Sequence, residues 1–74
     1  MENYANYVDL GEVIAVSRVF ELNTFQMVKM LESDEIEVYE SKEAFMEKYG
    51  DKERYEEFDD WCELNNGKVF AKVK

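Results

Sequence analysis

The spacing of apolar positions changes along the chain, and each change predicts an element. Over residues 12–22, "EVIAVSRVFEL", strict alternation puts Val16, Arg18, Phe20 and Leu22 on one face. The β-branched and aromatic content of that stretch suits a strand. "TFQMVKMLE" (24–32) is a second strand candidate, although Met, Gln, Lys and Leu also form helices well. In "EIEVYES" (35–41), Ile36 and Val38 alternate with Glu35, Glu37 and Tyr39, which predicts a strand after a turn at "SDE". A helical alternative exists for residues 10–32. Asp9 with Glu12, and Asn23 with Gln26, have the spacing of two capping boxes.

The second half predicts two helices and a strand. Ser41 is placed to cap a helix over "KEAFMEKYG", with Phe45 and Tyr49 four apart on one face. Asp51 is placed to cap another helix from Lys52 to about Asn65. Gly50 and Gly67 follow these patterns as left-handed caps. In "KVFAKVK" (68–74), Val69, Ala71 and Val73 alternate with Lys68, Phe70 and Lys72, which predicts a closing strand. The expected fold is therefore α+β: an antiparallel sheet with two helices on one face, in the order β-β-β-α-α-β, or with residues 10–32 helical in the alternative.

Length bounds this picture. Seventy-four residues without proline, repeat or linker predict one domain, 1–74, with a modest core. At 46 % apolar and 15 % aromatic the chain is too apolar for a disordered acidic tail. The lone cysteine, Cys62, rules out an intrachain disulfide and suits a reducing, cytoplasmic setting. The polar, acidic start "MENYANYVDLGE" lacks the features of a signal peptide, and no apolar run is long enough to span a membrane.

Charge changes the picture most. The formal net charge is −9. Residues 32–63 hold fourteen acids and four bases, a net of −10, whereas the rest hold four acids and five bases, a net of +1. A surface of this sign repels nucleic acid and anionic lipid, so basic proteins are the expected partners. On the helix expected over 52–65, Tyr55, Phe58 and Cys62 form a buried stripe. Glu53, Glu56, Glu57, Asp59, Asp60 and Glu63 fall on the opposite arc, with Trp61 on its flank. Those six acids and Trp61 are the expected partner-binding residues. The bland reading is a solvated acidic face that keeps a small protein soluble.

Catalytic chemistry is poorly served. Without histidine the chain lacks the usual general base and the commonest metal ligand. One cysteine cannot build a structural zinc site, and "ESDEIEVYE" lacks the calcium-loop spacing. There is no phosphate-binding glycine loop. Cys62, in an apolar stripe near acids, is expected to be inert packing. No enzyme, cofactor or metal site is expected.

The leading functional expectation is a non-enzymatic acidic protein that docks on a basic, nucleic-acid-binding partner and inhibits or regulates it. A DNA mimic in the style of short acidic phage inhibitors is its concrete form, a likeness of style that no motif carries. One alternative is a structural or regulatory module acting through a sheet edge or a homodimer, its first strand pairing with a partner. Another is a small-ligand or nucleotide sponge, which requires Arg18, Lys29 and the C-terminal lysines to converge.

Overall fold

The computed structural model describes residues 9–50 and 56–74. Their order is α1 (Leu10–Val19), α2 (Thr24–Glu32), β1 (Ile36–Tyr39), α3 (Lys42–Tyr49), β2 (Phe58–Glu63) and β3 (Val69–Val73). The α+β class and the antiparallel sheet are as expected, and residues 10–32 take the helical alternative. The strands expected at 12–22 and 24–32 do not form. Nor does the helix expected over 52–65, because residues 58–63 are a strand; its start at 51–55 lies outside the described residues.

Local hydrogen bonding explains why the first two elements are helices. Asp9 accepts from the Glu12 amide at 2.8 Å while Glu12 accepts from the Asp9 amide at 3.1 Å. Asn23 and Gln26 repeat this reciprocal pair at 2.8 and 3.0 Å. Each box satisfies two amides that a helix start otherwise leaves orphaned. The buried positions then follow helical spacing: Val13, Val16 and Phe20 point inward, while Arg18, on the same face in a strand, is exposed. Removing either cap side chain (Asp9→Ala or Asn23→Ala) should cost about 1 kcal/mol in a urea titration.

Both helices also stop in the same way. After α1, Leu22 donates to the Ser17 carbonyl at 2.8 Å and Glu21 to Arg18 at 3.3 Å, with Glu21 left-handed at φ 58°. After α2, Glu35 donates to Met30 at 2.8 Å and Asp34 to Leu31 at 3.4 Å, with Asp34 at φ 60°. These are two Schellman motifs whose left-handed position holds a residue other than glycine. Asp tolerates that conformation better than Glu. Glu21→Gly should therefore stabilise the protein by up to about 1 kcal/mol, the relief of left-handed strain exceeding the added chain entropy. A lower urea midpoint in that variant would contradict the assignment.

The sheet order is β1-β3-β2, with β3 central and antiparallel to both neighbours. Its two faces serve two cores. Phe70 of β3 lies across from Val38 of β1 and Cys62 of β2, and this face meets Val13, Val16, Phe20 and Met27 of the helical pair and its connection. Val69 and Ala71 face the other way, onto Phe45 and Tyr49 of α3, together with Phe58. Helices thus cover both faces, with α1 and α2 on one and α3 on the other. Val69, Phe70 and Ala71 are all fully buried, as expected for a central strand covered on both sides.

The two late glycines have different roles. Gly67 is left-handed at φ 83°, but in the β2–β3 hairpin rather than at a helix end. Its amide donates to Leu64, and Leu64 donates to Lys68, at 2.9 and 2.8 Å. Gly50 is right-handed at φ −68°, so no left-handed cap forms there. What excludes a side chain at Gly50 is closeness: a Cβ would stand 2.5 Å from the Met46 carbonyl oxygen.

Candidate acidic interface on the outer strand

Five of the six acids expected on one helical arc stand on and beside β2, an outer strand of the sheet. Glu56 and Glu57 lie in the turn entering β2, and the Glu57 carbonyl accepts from the Lys74 amide at 3.0 Å. Asp59 sits where the β2–β3 register slips by one residue. Asp60 pairs across with Lys72, Trp61 with Ala71, Cys62 with Phe70 and Glu63 with Val69. Glu53 lies outside the described residues.

The bulge decides which way each side chain points. Phe58 packs in the α3 core, and simple alternation would send Trp61 to the opposite side. The extra residue at Asp59 resets the alternation. Trp61 therefore shares the α3 face with Phe58, and its ring lies 5.5 Å from that of Phe45 at 28°. Asp60 projects on the face of the helical pair and Glu63 on the α3 face. The five described acids do not form the one-face ladder that the expected helix required, because Asp60 and Glu63 project on opposite faces of the sheet.

Trp61 remains 41 % exposed. The Lys42 ammonium stands 5.6 Å from its ring centre, a cation–π distance. Glu63 is two residues away on the same face, so an exposed aromatic, a lysine and a carboxylate share one patch. Cys62 points into the sheet's other face, half-buried, and desolvation pushes its thiol pKa up. That environment keeps it a packing residue.

The strand placement alters what charge reversal does. On a helix, Asp60→Lys relieves repulsion. On β2 it sets two lysines opposite each other, because the cross-strand partner is Lys72. Asp60→Lys should cost roughly 0.5–1 kcal/mol, while Glu63→Lys, opposite Val69, should stay within about 0.5 kcal/mol of the parent. Paired thermal melts of the two variants check this.

Two polar clusters had no expected role. In the first, Glu37 accepts from the Tyr39 hydroxyl and from the Tyr49 hydroxyl at 3.1 Å, and the Lys48 ammonium stands 3.5 Å away. Desolvation and the Glu37 carboxylate push the Tyr39 pKa up, and the Tyr49 hydroxyl together with Glu37 holds that of Lys48 up. This cluster ties β1 to α3. Only the Glu37–Tyr39 spacing, two apart on a strand, was visible in sequence.

In the second cluster, Glu12 accepts from Asn66 at 2.8 Å and from Lys68 at 3.1 Å. Burial raises its carboxyl pKa, but the Asn66, Asp9 and Lys68 donors together outweigh that and hold it below the ordinary 4.5. Fifty-six residues separate Glu12 from Lys68, so no local pattern announces the pair.

Other chemistry is sparse. A shallow groove beside Glu12 is lined by Asp9, Gly11, Glu12, Ala15, Leu64, Asn65 and Asn66. Its charged groups are acids, the wrong sign for a phosphate. The basic residues of the nucleotide-sponge expectation are spread out. Lys29 lies over the Phe25 ring, Lys68 meets Glu12 and Lys72 faces Asp60. Among the described residues no three acidic or cysteine side chains group as a metal site, and no helix is long and apolar enough to cross a membrane. No protein-family model, curated protein or solved structure matches the chain.

Proposed function

We propose that this chain is a non-enzymatic acidic binding protein that docks through the β2 side of its sheet on a basic partner. The supporting observation is the exposed set Glu56, Glu57, Asp59, Asp60 and Glu63 around a partly exposed Trp61. Charged residues on an edge strand also deter edge-to-edge aggregation, and that role alone explains a few acids. It does not explain a large exposed aromatic among them. Aromatic anchors ringed by charge are a common form of binding hot spot.

The partner class is a nucleic-acid-binding protein, inhibited or regulated in the cytoplasm, where an unpaired cysteine is at home. The general form, acid on base, is favoured over close mimicry of a DNA strand. Mimicry of a phosphate row needs carboxylates in line on one face, and β2 divides them between two. The first-strand dimer is set aside, because residues 12–19 lie in helix α1 and residues 20–22 in the turn after it.

The test is capture from a bacterial lysate with the tagged protein as bait, washed at low and high salt and with excess DNA. A nucleic-acid-binding protein should be retained at low salt and displaced by salt or DNA. The Asp59→Lys/Glu63→Lys double variant, checked for equal stability, should lose it. Equal retention by parent and double variant removes the reading.

A further inference from the structure

The unpaired side of β2 extends the proposed reading, on which this inference rests. β2 is an outer strand with β3 on one side and, among the described residues, no strand on the other. An outer strand carries a row of backbone donors and acceptors directed away from the sheet. Along it, Asp60 offers a carboxylate on one face while Trp61 and Glu63 offer an aromatic ring and a carboxylate on the other. The strand cannot comfortably pair with a second copy of itself, since that brings acid against acid. A basic strand meets no such repulsion and gains attraction on both faces.

Trp61 adds a more specific sign. Phe45 supports its ring, and the exposed Lys42 already holds an ammonium near it. This corner of the surface therefore accommodates a cation over an aromatic, beside Glu63. A guanidinium suits the position better than an ammonium, because it stacks flat and pairs bidentately with a carboxylate.

We propose that β2 receives an extended, arginine-rich segment of the partner as a fourth strand, with one guanidinium stacking on Trp61 where the Lys42 ammonium stands and reaching Glu63, two residues along the same face. Backbone pairing supplies the register, and the alternating arginines supply selectivity.

The probe is a short synthetic peptide alternating arginine and threonine, capped at both ends. Its control has the same sequence with alternate amides N-methylated, which keeps every charge but blocks one edge of the ladder. Trp61 is the chain's single tryptophan, so its fluorescence reports binding directly. At low salt the unmodified peptide should shift that fluorescence and slow hydrogen exchange at β2 amides. Methylation should weaken binding by about tenfold or more, because several backbone bonds are lost. Glu63→Lys should weaken it similarly, and Lys42→Gln, which vacates the cation position, should strengthen it.

Equal binding of the methylated peptide overturns strand addition and leaves docking by charge in place. A response at Trp61 without slowed β2 exchange does the same. Failure of both peptides to bind at low salt overturns the inference and the acidic-surface reading together.

Discussion

Phe70→Ala should destabilise the protein by about 3–5 kcal/mol. Phe70 is fully buried on the central strand, opposite Val38 on one side and Cys62 on the other. It joins the sheet to the α1–α2 pair, so truncation opens a cavity where three elements meet. A chain of this length has a total stability of only about 4–11 kcal/mol. The variant should therefore unfold at a much lower urea concentration or be largely unfolded in buffer, as read by circular dichroism. Phe25→Ala is the control. Phe25 is 70 % exposed, and its loss should move stability by no more than about 0.5 kcal/mol. An unchanged midpoint for Phe70→Ala would mean that the helical pair does not share a core with the sheet.

Glu12→Ala should cost about 2–3 kcal/mol, well above an ordinary capping loss. One carboxylate completes the α1 capping box and receives both Asn66 and Lys68 from the hairpin. Its removal frees the start of α1 and leaves Lys68, whose side chain is three-quarters buried, without this carboxylate.

The pH dependence follows from the lowered pKa. The unfolded chain binds a proton at Glu12 near the ordinary value of 4.5, and the folded chain only at lower pH. The Glu12 contribution is therefore complete above about pH 4.5 and is lost as pH falls from there through the folded value. Glu12→Gln, which cannot titrate, should flatten that part of the acid limb. An acid limb of the same depth in parent and Glu12→Gln would show that Glu12 is not held charged by the fold.

The legible parts of this protein share a physical character: they are local. The capping boxes at Asp9 and Asn23 close within three residues, so they are written in the chain wherever it goes. So is the Ser41 cap, whose hydroxyl accepts from the Ala44 amide at 3.1 Å. Gly67 was legible as a left-handed position, although the same torsion serves a helix end or a hairpin turn. The core role of Phe58 also survived its change of element. It was expected inside a helical stripe, and it is buried as a strand residue 4.1 Å from the Tyr49 ring.

The misread segments are those with two periodicities. Val16 and Phe20 are four apart, which satisfies a strand face and a helix face alike. Arg18 between them was the discriminating residue, and its exposure selects the helix. At 58–63 the ambiguity ran the other way. Phe58 and Cys62 fit one side of a helix, and a bulged strand breaks simple alternation, so its signature is absent from the sequence. Only pairing with β3, supplied from residues 69–73, turns "FDDWCE" into a strand.

By itself, then, the sequence determined the helix starts, the α+β class, the charge excess between residues 32 and 63 and the apolar residues that become core. Each depends on neighbours within a turn or on composition. The tertiary structure decided how that charge is displayed. Pairing to the central strand puts Asp60 and Glu63 on opposite faces, brings Trp61 onto Phe45 and leaves β2, like β1, an outer strand among the described residues. It also joined Glu12 to Lys68 and Tyr49 to Glu37, because contacts between distant residues exist only once the sheet has set their register.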